Sequence, residues 1–150
     1  MLNIVLVEPQ IPPNTGNIAR LSAAFKLKLH LVKPLGFSTD DRYLKRAGLD
    51  YWEHVNLEYH DNFTELKNKY PSGRFFFFST KAEHSYFAER YTKDDFLVFG
   101  AETTGLPKEI LEQNWNYART IPMTGQVRSL NLSSAVAMVV GEAVRQITHE

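Results

Sequence analysis

Two short segments of the chain, 4–7 (IVLV) and 75–78 (FFFF), are apolar at every position. A strand with one face in water alternates apolar and polar residues, whereas a strand that is apolar throughout is covered on both faces. Four residues are also too few for a helix of ordinary length. These segments therefore predict a mostly parallel sheet with helices packed on both of its faces.

Similar short runs recur along the chain, separated by patterns typical of helices. The predicted strands are 2–7, 29–32, 55–59, 74–79, 96–100 and 119–123. The predicted helices lie near 15–27, 40–48, 62–70, 83–90, 107–115 and 131–148. Strands that alternate with helices indicate an α/β fold. Since the 150 residues contain no repeat and no linker, we expect a single domain, residues 1–150.

Three of the predicted helices have recognisable first residues. Asn62, with Glu65 three residues later, forms a variant of the capping box. Pro107 suits the first helical position, where its missing N–H is not needed. Asn131 or Ser133 is expected to cap the last helix.

Composition excludes several classes of protein. The chain has no cysteine, which rules out disulfides and thiolate nucleophiles and fits a cytoplasmic protein. No apolar run approaches the roughly 18 residues of a membrane span, so no membrane partner is predicted. Seventeen basic residues balance seventeen acidic ones, so net charge gives no support for nucleic-acid binding. The five histidines show no ligand spacing, and no metal site is predicted.

The last predicted helix is apolar around most of its circumference, which indicates burial nearly all round. One interpretation places it between other elements of the same domain. We favour a second, in which its outer face is the interface of a homodimer. The apolar residues concerned are Leu132, Ala135, Val136, Met138, Val139, Val140, Ala143, Val144 and Ile147.

The glycines follow strands, although the chain has no GxGxxG, P-loop or GxSxG motif. Gly16 follows the first strand, Gly100 and Gly105 follow the strand FLVF, and Gly125 follows TIPM. In an open α/β sheet, ligands bind outside the carboxyl ends of the strands. The sequence therefore predicts a pocket composed of three loops.

Each loop also has an ordinary structural interpretation. The stretch FGAETTGLP, with Glu102, is compatible with a plain strand-to-helix turn. In IPMTGQVRSLNLSS, helix capping accounts for Asn131 and one serine but not for Arg128. The stretch NTGNIAR adds Asn14, Asn17 and Arg20, which are compatible with a capping asparagine and a solvated arginine.

Taken together, the stretches NTGNIARL, LVFGAETTGLP and IPMTGQVRSLNLSSAVAMVVGEA resemble, in order and spacing, the three motifs of the SPOUT superfamily of RNA methyltransferases. The resemblance covers the whole chain. With EPQIPPNTGNIAR and KRAGLDYW included, it is closest to the small single-domain branch that methylates the 2′-hydroxyl of the tRNA wobble nucleotide, cytidine or uridine at position 34.

This resemblance implies an α/β trefoil knot at the C-terminal side, a homodimer through the C-terminal helix, tRNA (its anticodon region) as partner, and S-adenosylmethionine as cofactor. The implied cofactor-binding residues are Phe78, Ser79, Thr80, Gly100, Glu102, Gly105, Ile121, Pro122, Met123, Ser129 and Leu130. The family implies Arg20 as the catalytic residue, with Glu102, Ser129 and Asn131 as candidates for positioning.

RNA contacts are expected from a stripe of cations at i, i+3 and i+4, Arg42, Lys45 and Arg46, although Asp40 and Asp41 also make it compatible with a solvated helix face. Asn14, Arg20 and Arg128 complete the predicted RNA-binding set. Two alternatives remain open: 2′-O-methylation of ribosomal RNA, and a catalytically silent RNA-binding dimer. A small-molecule nucleotide-binding protein is a third, but no phosphate loop supports it.

Overall fold

The computed structural model describes residues 1–39, 42 and 52–148. Within these residues, seven strands form one sheet in the order β3-β2-β1-β6-β4-β7-β5, and the strands pair in parallel. The mostly parallel sheet is thus confirmed. The strands are β1 Asn3–Val7, β2 Lys28–Val32, β3 Asn56–His60, β4 Phe75–Phe78, β5 His84–Ser85, β6 Phe96–Phe99 and β7 Ala118–Thr120.

Helices cover both faces of the sheet, as expected. Two of them, α1 and α4, pack into one apolar core, and α2 and α3 pack into the other. No helix in the described residues is long and apolar enough to cross a membrane. The helices are α1 Pro12–Ala24, α2 Phe63–Lys69, α3 Lys108–Gln113 and α4 Leu132–Thr148, with single 3-10 turns at Tyr86–Ala88 and Trp115–Tyr117.

The run of four phenylalanines divides its side chains between the two cores. Phe76 and Phe78 join the core under α1 and α4, and Phe75 and Phe77 join the core under α2 and α3. The ring of Phe75 stacks on that of Phe96 with centroids 4.3 Å apart. An all-apolar strand is therefore required because neither face of β4 meets water.

The helix predicted at 83–90 is wrong. Residues His84–Ser85 form a short strand that pairs with β7, and one 3-10 turn follows it. The side-chain amide of Gln146 in α4 then accepts from the backbone N–H of Tyr91 at 2.8 Å and donates to the carbonyl of Glu89 at 3.0 Å. These long-range partners outweigh the local helical pattern. The helix predicted at 40–48 lies outside the described residues, apart from Arg42.

Two of the predicted caps are confirmed, and one is displaced. The side chain of Asn62 accepts from the N–H of Glu65 at 2.8 Å. Asn131, not Ser133, caps α4, because its side-chain oxygen accepts from the N–H of Ser133 at 2.9 Å. Pro107 lies one residue before the first helical position of α3.

Helix α4 lies against the sheet and against α1, so its own chain covers most of its apolar surface. Val136, Val139, Val140 and Ala143 are completely buried. Of the nine apolar residues noted in the sequence, only Met138 is exposed, at 45%. The interpretation that places α4 inside the domain accounts for the others, and a narrow outward stripe remains: Ser134, Ala137, Met138, Gly141 and Arg145.

A chain of hydrogen bonds runs through the sheet beneath α2. The amide nitrogen of Asn3 donates to the carbonyls of Met1 and Asp94 at 3.2 Å, which leaves its oxygen to accept from His30 Nε2 at 2.9 Å. His30 Nδ1 must then accept, and His60 Nε2 donates to it at 2.9 Å. Only one proton fits between the two facing ring nitrogens, so the two imidazoles cannot both be protonated, and His30 is neutral in this arrangement.

Burial acts in the same direction as these hydrogen bonds. Burial, and then the neighbouring His60, lowers the pKa of His30 to about 3, and burial lowers the pKa of His60. Burial alone would raise the pKa of Glu58, but hydrogen bonds from Lys28, Lys69 and Tyr70 outweigh it and lower that pKa to about 2. Because the unfolded chain binds more protons below pH 6.5, protonation favours unfolding there.

We predict that the free energy of unfolding, measured by urea denaturation, falls by about 2 kcal/mol or more between pH 7.5 and pH 5. The histidine contribution is complete above about pH 6.5 and is lost below it, whereas that of Glu58 is lost only as the pH falls from about 4.5 towards 2. His60→Gln keeps a donor for His30 and should reduce this loss. His84→Gln, on an exposed ring, is the control, and a wild-type stability that stays flat over this range would contradict the prediction.

Candidate active site

A cavity of about 410 Å³ opens at the carboxyl ends of β4, β6 and β7. Three loops, which follow these strands, form its walls, and the first turn of α4 closes one side. Parallel strands bring their carboxyl ends to the same edge, which is why loops far apart in sequence meet here. We call it the three-loop cavity.

Ten of the eleven predicted cofactor-binding residues line the three-loop cavity. Pro122 instead lines an adjoining groove, together with Thr80, Ile121 and Met123. Two lining residues of helices, Ala135 and Leu111, were not predicted from the sequence, and neither were several residues of the loops themselves: Lys81, Ala101, Thr103, Thr104 and Leu106. The ten are Phe78, Ser79, Thr80, Gly100, Glu102, Gly105, Ile121, Met123, Ser129 and Leu130.

The two glycines of the loop after β6 are needed for different reasons. A Cβ on Gly100 would lie 2.1 Å from the carbonyl carbon of Gly105 and from the nitrogen of Leu106. Gly105 adopts a φ of 70°, and its N–H donates to the carbonyl of Ala101 at 2.9 Å. Gly100 is therefore required because this loop packs closely on itself, and not because a ligand needs the space.

Glu102 connects this loop to the segment that precedes α1. Its Oε1 accepts from the N–H of Gln10 at 2.9 Å, and its Oε2 accepts from the N–H of Ile11 at 2.8 Å and from the amide of Asn14 at 3.3 Å. The first turn of α1 begins with Pro12 and Pro13, which have no N–H. Glu102 thus fixes the start of the helix that carries Arg20.

Asn14 continues this network to the third loop. Its side chain is 6% exposed, and its oxygen accepts from the amide of Asn131 at 3.2 Å. The oxygen of Asn131 meanwhile accepts from the N–H of Ser133 and from its hydroxyl, at 2.9 and 2.6 Å. Both ends of the buried amide of Asn14 are thus occupied within the chain, and an RNA contact of Asn14 stays a prediction.

The remaining predicted residues that the structure describes are exposed. Arg20 lies on the exposed side of α1 and does not line the three-loop cavity. Ser129 is exposed and lines it, and Arg128 lines the adjoining groove with Pro122. Arg42 is exposed, whereas Lys45 and Arg46 lie outside the described residues.

One group of side chains in the described residues has the composition of a metal site. Candidate ligand atoms of His30, Glu58 and His60 lie within 4.8 Å of one another. The carboxylate of Glu58, however, already accepts from Lys69 and, at 2.7 Å each, from Lys28 and Tyr70. A cation here would meet two ammonium groups and would replace the proton that joins the two imidazoles. We therefore interpret the group as a hydrogen-bonded network.

The sequence matches the SpoU rRNA Methylase family over residues 1–141. The chain belongs to the SpoU methylase family. It is 53% identical over 148 residues, 97% of this chain and 92% of the other, to a Bacillus subtilis (strain 168) protein provisionally named tRNA (cytidine(34)-2'-O)-methyltransferase.

Solved structures share the fold of this SpoU methylase. A structure from work on the 2-OH methylation of C/U34 on tRNA superposes with a TM-score of 0.96 and 47% identity, and it covers 100% of this chain and 98% of that chain. The SpoU methyltransferase AviRb from Streptomyces viridochromogenes, in complex with the cofactor AdoMet, has a TM-score of 0.87. It is 22% identical over 97% of this chain and 57% of its own, which establishes the fold alone.

We predict that Glu102→Gln loosens the start of α1. The NH2 group of the new side chain would replace one carboxylate oxygen and would face a backbone N–H, which is also a donor. Loss of a carboxylate partner typically costs about 1–3 kcal/mol, so the amides of Gln10 and Ile11 should exchange with deuterium roughly ten-fold to hundred-fold faster. Glu109→Gln, on the exposed side of α3, is the matched control. Unchanged protection of Gln10 and Ile11 would show that Glu102 does not hold them.

Proposed function

We propose that this SpoU methylase transfers the methyl group of S-adenosylmethionine to the 2′-hydroxyl of the wobble nucleotide of tRNA, cytidine or uridine at position 34. The main support for the proposal is a set of hydrogen bonds that joins all three sequence motifs beside the three-loop cavity. Asn14 donates to Glu102, which lines the cavity, and accepts from Asn131. The full-length likeness to proteins named for position 34 supports the substrate.

The three-loop cavity suits a nucleoside-sized cofactor. Its volume falls within the range of small-molecule sites, and apolar side chains such as Ile121, Met123 and Leu130 line it beside backbone polar groups. The loops after β4, β6 and β7 would hold S-adenosylmethionine largely through these groups. When bound, the cofactor supplies an electrophilic methyl group. A trefoil knot in this part of the chain remains a prediction.

Glu102 and Asn131 are positioning residues in this proposal. The carboxylate of Glu102 already accepts from three N–H donors, so taking a proton from the substrate would break the contacts that hold α1. Asn131 is committed to Ser133 and Asn14. Neither is a suitable proton acceptor. Ser129, exposed at the cavity wall, is placed to contact the substrate.

Arg20 is the residue of this chain that acts on the substrate in this proposal. A guanidinium keeps its proton throughout the working range of an enzyme and is a poor base, but its planar fork binds a phosphate through two hydrogen bonds. Held beside the ribose, its positive charge would stabilise the alkoxide that develops as the 2′-hydroxyl gives its proton to solvent water. Arg20 therefore orients the substrate phosphate and lowers the pKa of the hydroxyl.

We also propose that two chains form a homodimer through α4. The outward stripe of this helix combines Ala137, Met138 and Gly141, which allow a second helix to approach closely. A dimer would give a chain of this size a continuous RNA surface, to which the exposed Arg42 and Arg128 would contribute. Lys45 and Arg46 are proposed for the same surface.

Arg20→Lys and Arg20→Ala should bind S-adenosylmethionine like wild type, by calorimetry with EDTA present, while methyl transfer to tRNA falls by orders of magnitude. Alanine should be the more severe, since lysine retains a point charge but lacks the planar fork. Ala135→Phe, which places a ring in the three-loop cavity, should abolish both binding and transfer. Near-native turnover by Arg20→Ala would refute the assigned role, and product in ribosomal RNA alone would favour the alternative substrate.

The dimer should appear in sedimentation velocity at micromolar concentration. Met138→Glu should yield monomers, because an unpaired charge buried in an interface costs several kcal/mol. Tyr59→Glu, at an exposed aromatic residue of β3, is the control and should remain dimeric. A monomeric wild-type protein would refute the dimer and leave the cofactor proposal standing.

A further inference from the structure

A second groove, of about 730 Å³, lies on the far side of the loop that follows β6. It opens at the carboxyl ends of β1 and β6, where strand order reverses direction, which is the usual position of ligands in open α/β sheets. Six residues line both this groove and the three-loop cavity, so the two share a wall: Lys81, Ala101, Thr104, Gly105, Leu106 and Leu111. We call it the Trp115 groove.

An aromatic side chain occupies the edge of the groove. Trp115 follows α3 in a 3-10 turn and is 40% exposed, so its indole is partly packed and partly open to solvent. Aromatic side chains in this situation stack on unpaired nucleic-acid bases, because every base offers a π-face. Bases of this kind are available in the single-stranded loops that proteins recognise in RNA.

The charges of the groove suit a base better than a row of phosphates. Lys81 and Lys108 line it, but so do the carboxylates of Glu8 and Glu112, and the four charges cancel. The contact between Lys108 and Glu112 is 3.7 Å long with both side chains largely exposed, so it is a weak one. The hydroxyl of Thr104, which also lines the groove, is placed to bond the edge of a base.

The backbone at the groove is also unusual. Glu8 has a φ of 55°, in the left-handed region that residues with a side chain seldom adopt. Its N–H donates to the carbonyl of Val32 at 2.9 Å, and its own carbonyl accepts from the side chain of Gln10 at 2.8 Å. Backbone held in such a conformation clusters at ligand sites. It places the side chain of Glu8 at the groove wall.

We propose that the Trp115 groove binds the base of a nucleotide adjacent to the methylated one, stacked on the indole of Trp115. The inference rests on the proposed function, because the shared wall places the groove one loop away from the cavity in which methyl transfer would occur. In this arrangement the cavity holds the cofactor, and the groove fixes the register of the RNA strand.

The kinetic test compares two aromatic residues of the same 3-10 turn. Trp115→Ala should raise the KM for tRNA by roughly 5-fold to 150-fold, the range that stacking of one base supports, with the KM for S-adenosylmethionine unchanged. Trp115→Phe should recover most of the loss. Tyr117→Ala, 51% exposed but not part of the groove, is the matched control and should behave like wild type.

A direct readout uses the fact that the chain has two tryptophans. In a Trp52→Phe background, the fluorescence comes from Trp115 and should be quenched when an anticodon stem-loop RNA binds. Unquenched fluorescence with bound RNA would overturn the inference, as would equal KM values for Trp115→Ala and Tyr117→Ala, or a raised KM for the cofactor instead of tRNA. A wild-type protein that does not methylate tRNA would instead overturn the proposed function, and this inference with it.

Discussion

The carboxylate of Glu102 is the interaction on which the rest of the candidate site depends. It accepts from the backbone of Gln10 and Ile11 and from the amide of Asn14, although those residues lie about ninety positions earlier in the chain. Two consecutive prolines at the start of α1 supply no N–H, so the carboxylate supports the backbone just before them. Through Asn14 the same network reaches Asn131 and the first turn of α4.

This arrangement separates the roles of the polar residues in the three motifs by their geometry. Groups whose hydrogen bonds are satisfied within the chain, Glu102 and Asn131, hold the loops in place. Arg20 and Ser129 are exposed, and they are the residues that we propose contact the RNA. Apolar residues and short polar residues line the cavity, and close packing around Gly100 fixes the shape of its central loop. In the proposed function, cofactor binding and chemistry therefore depend on different parts of the site.

Much of the fold was predictable because strands apolar throughout are buried on both faces, as Phe75–Phe78 are. The short strand His84–Ser85 was not, since its pairing with β7 and the contacts of Gln146 are non-local and override a helical pattern. The motifs identified ten cavity residues, but not that Asn14 is buried. The sequence shows that a polar residue follows a strand. It does not show which residue forms a hydrogen bond with it, because that partner lies far away along the chain.

The burial of α4 also depends on residues far away along the chain, which its own sequence pattern does not identify. Its apolar circumference was correctly read as burial, but the sheet and α1 supply most of the cover, and Val140 and Ala143 face inward. A periodic pattern reveals how much of a helix is buried and not which element buries it. What the stripe around Met138 contacts depends on a second chain and requires an experiment in solution.

The central claim is that this SpoU methylase modifies the wobble ribose of tRNA. Nucleoside mass spectrometry of tRNA from a strain that lacks the protein, with mapping of position 34, tests it most directly. We expect a 2′-O-methylated cytidine or uridine at position 34 to be absent from this strain. The modification should return when the wild-type protein is restored, but not when Arg20→Ala is. An unchanged level of 2′-O-methylation at position 34 in the deletion strain would contradict it.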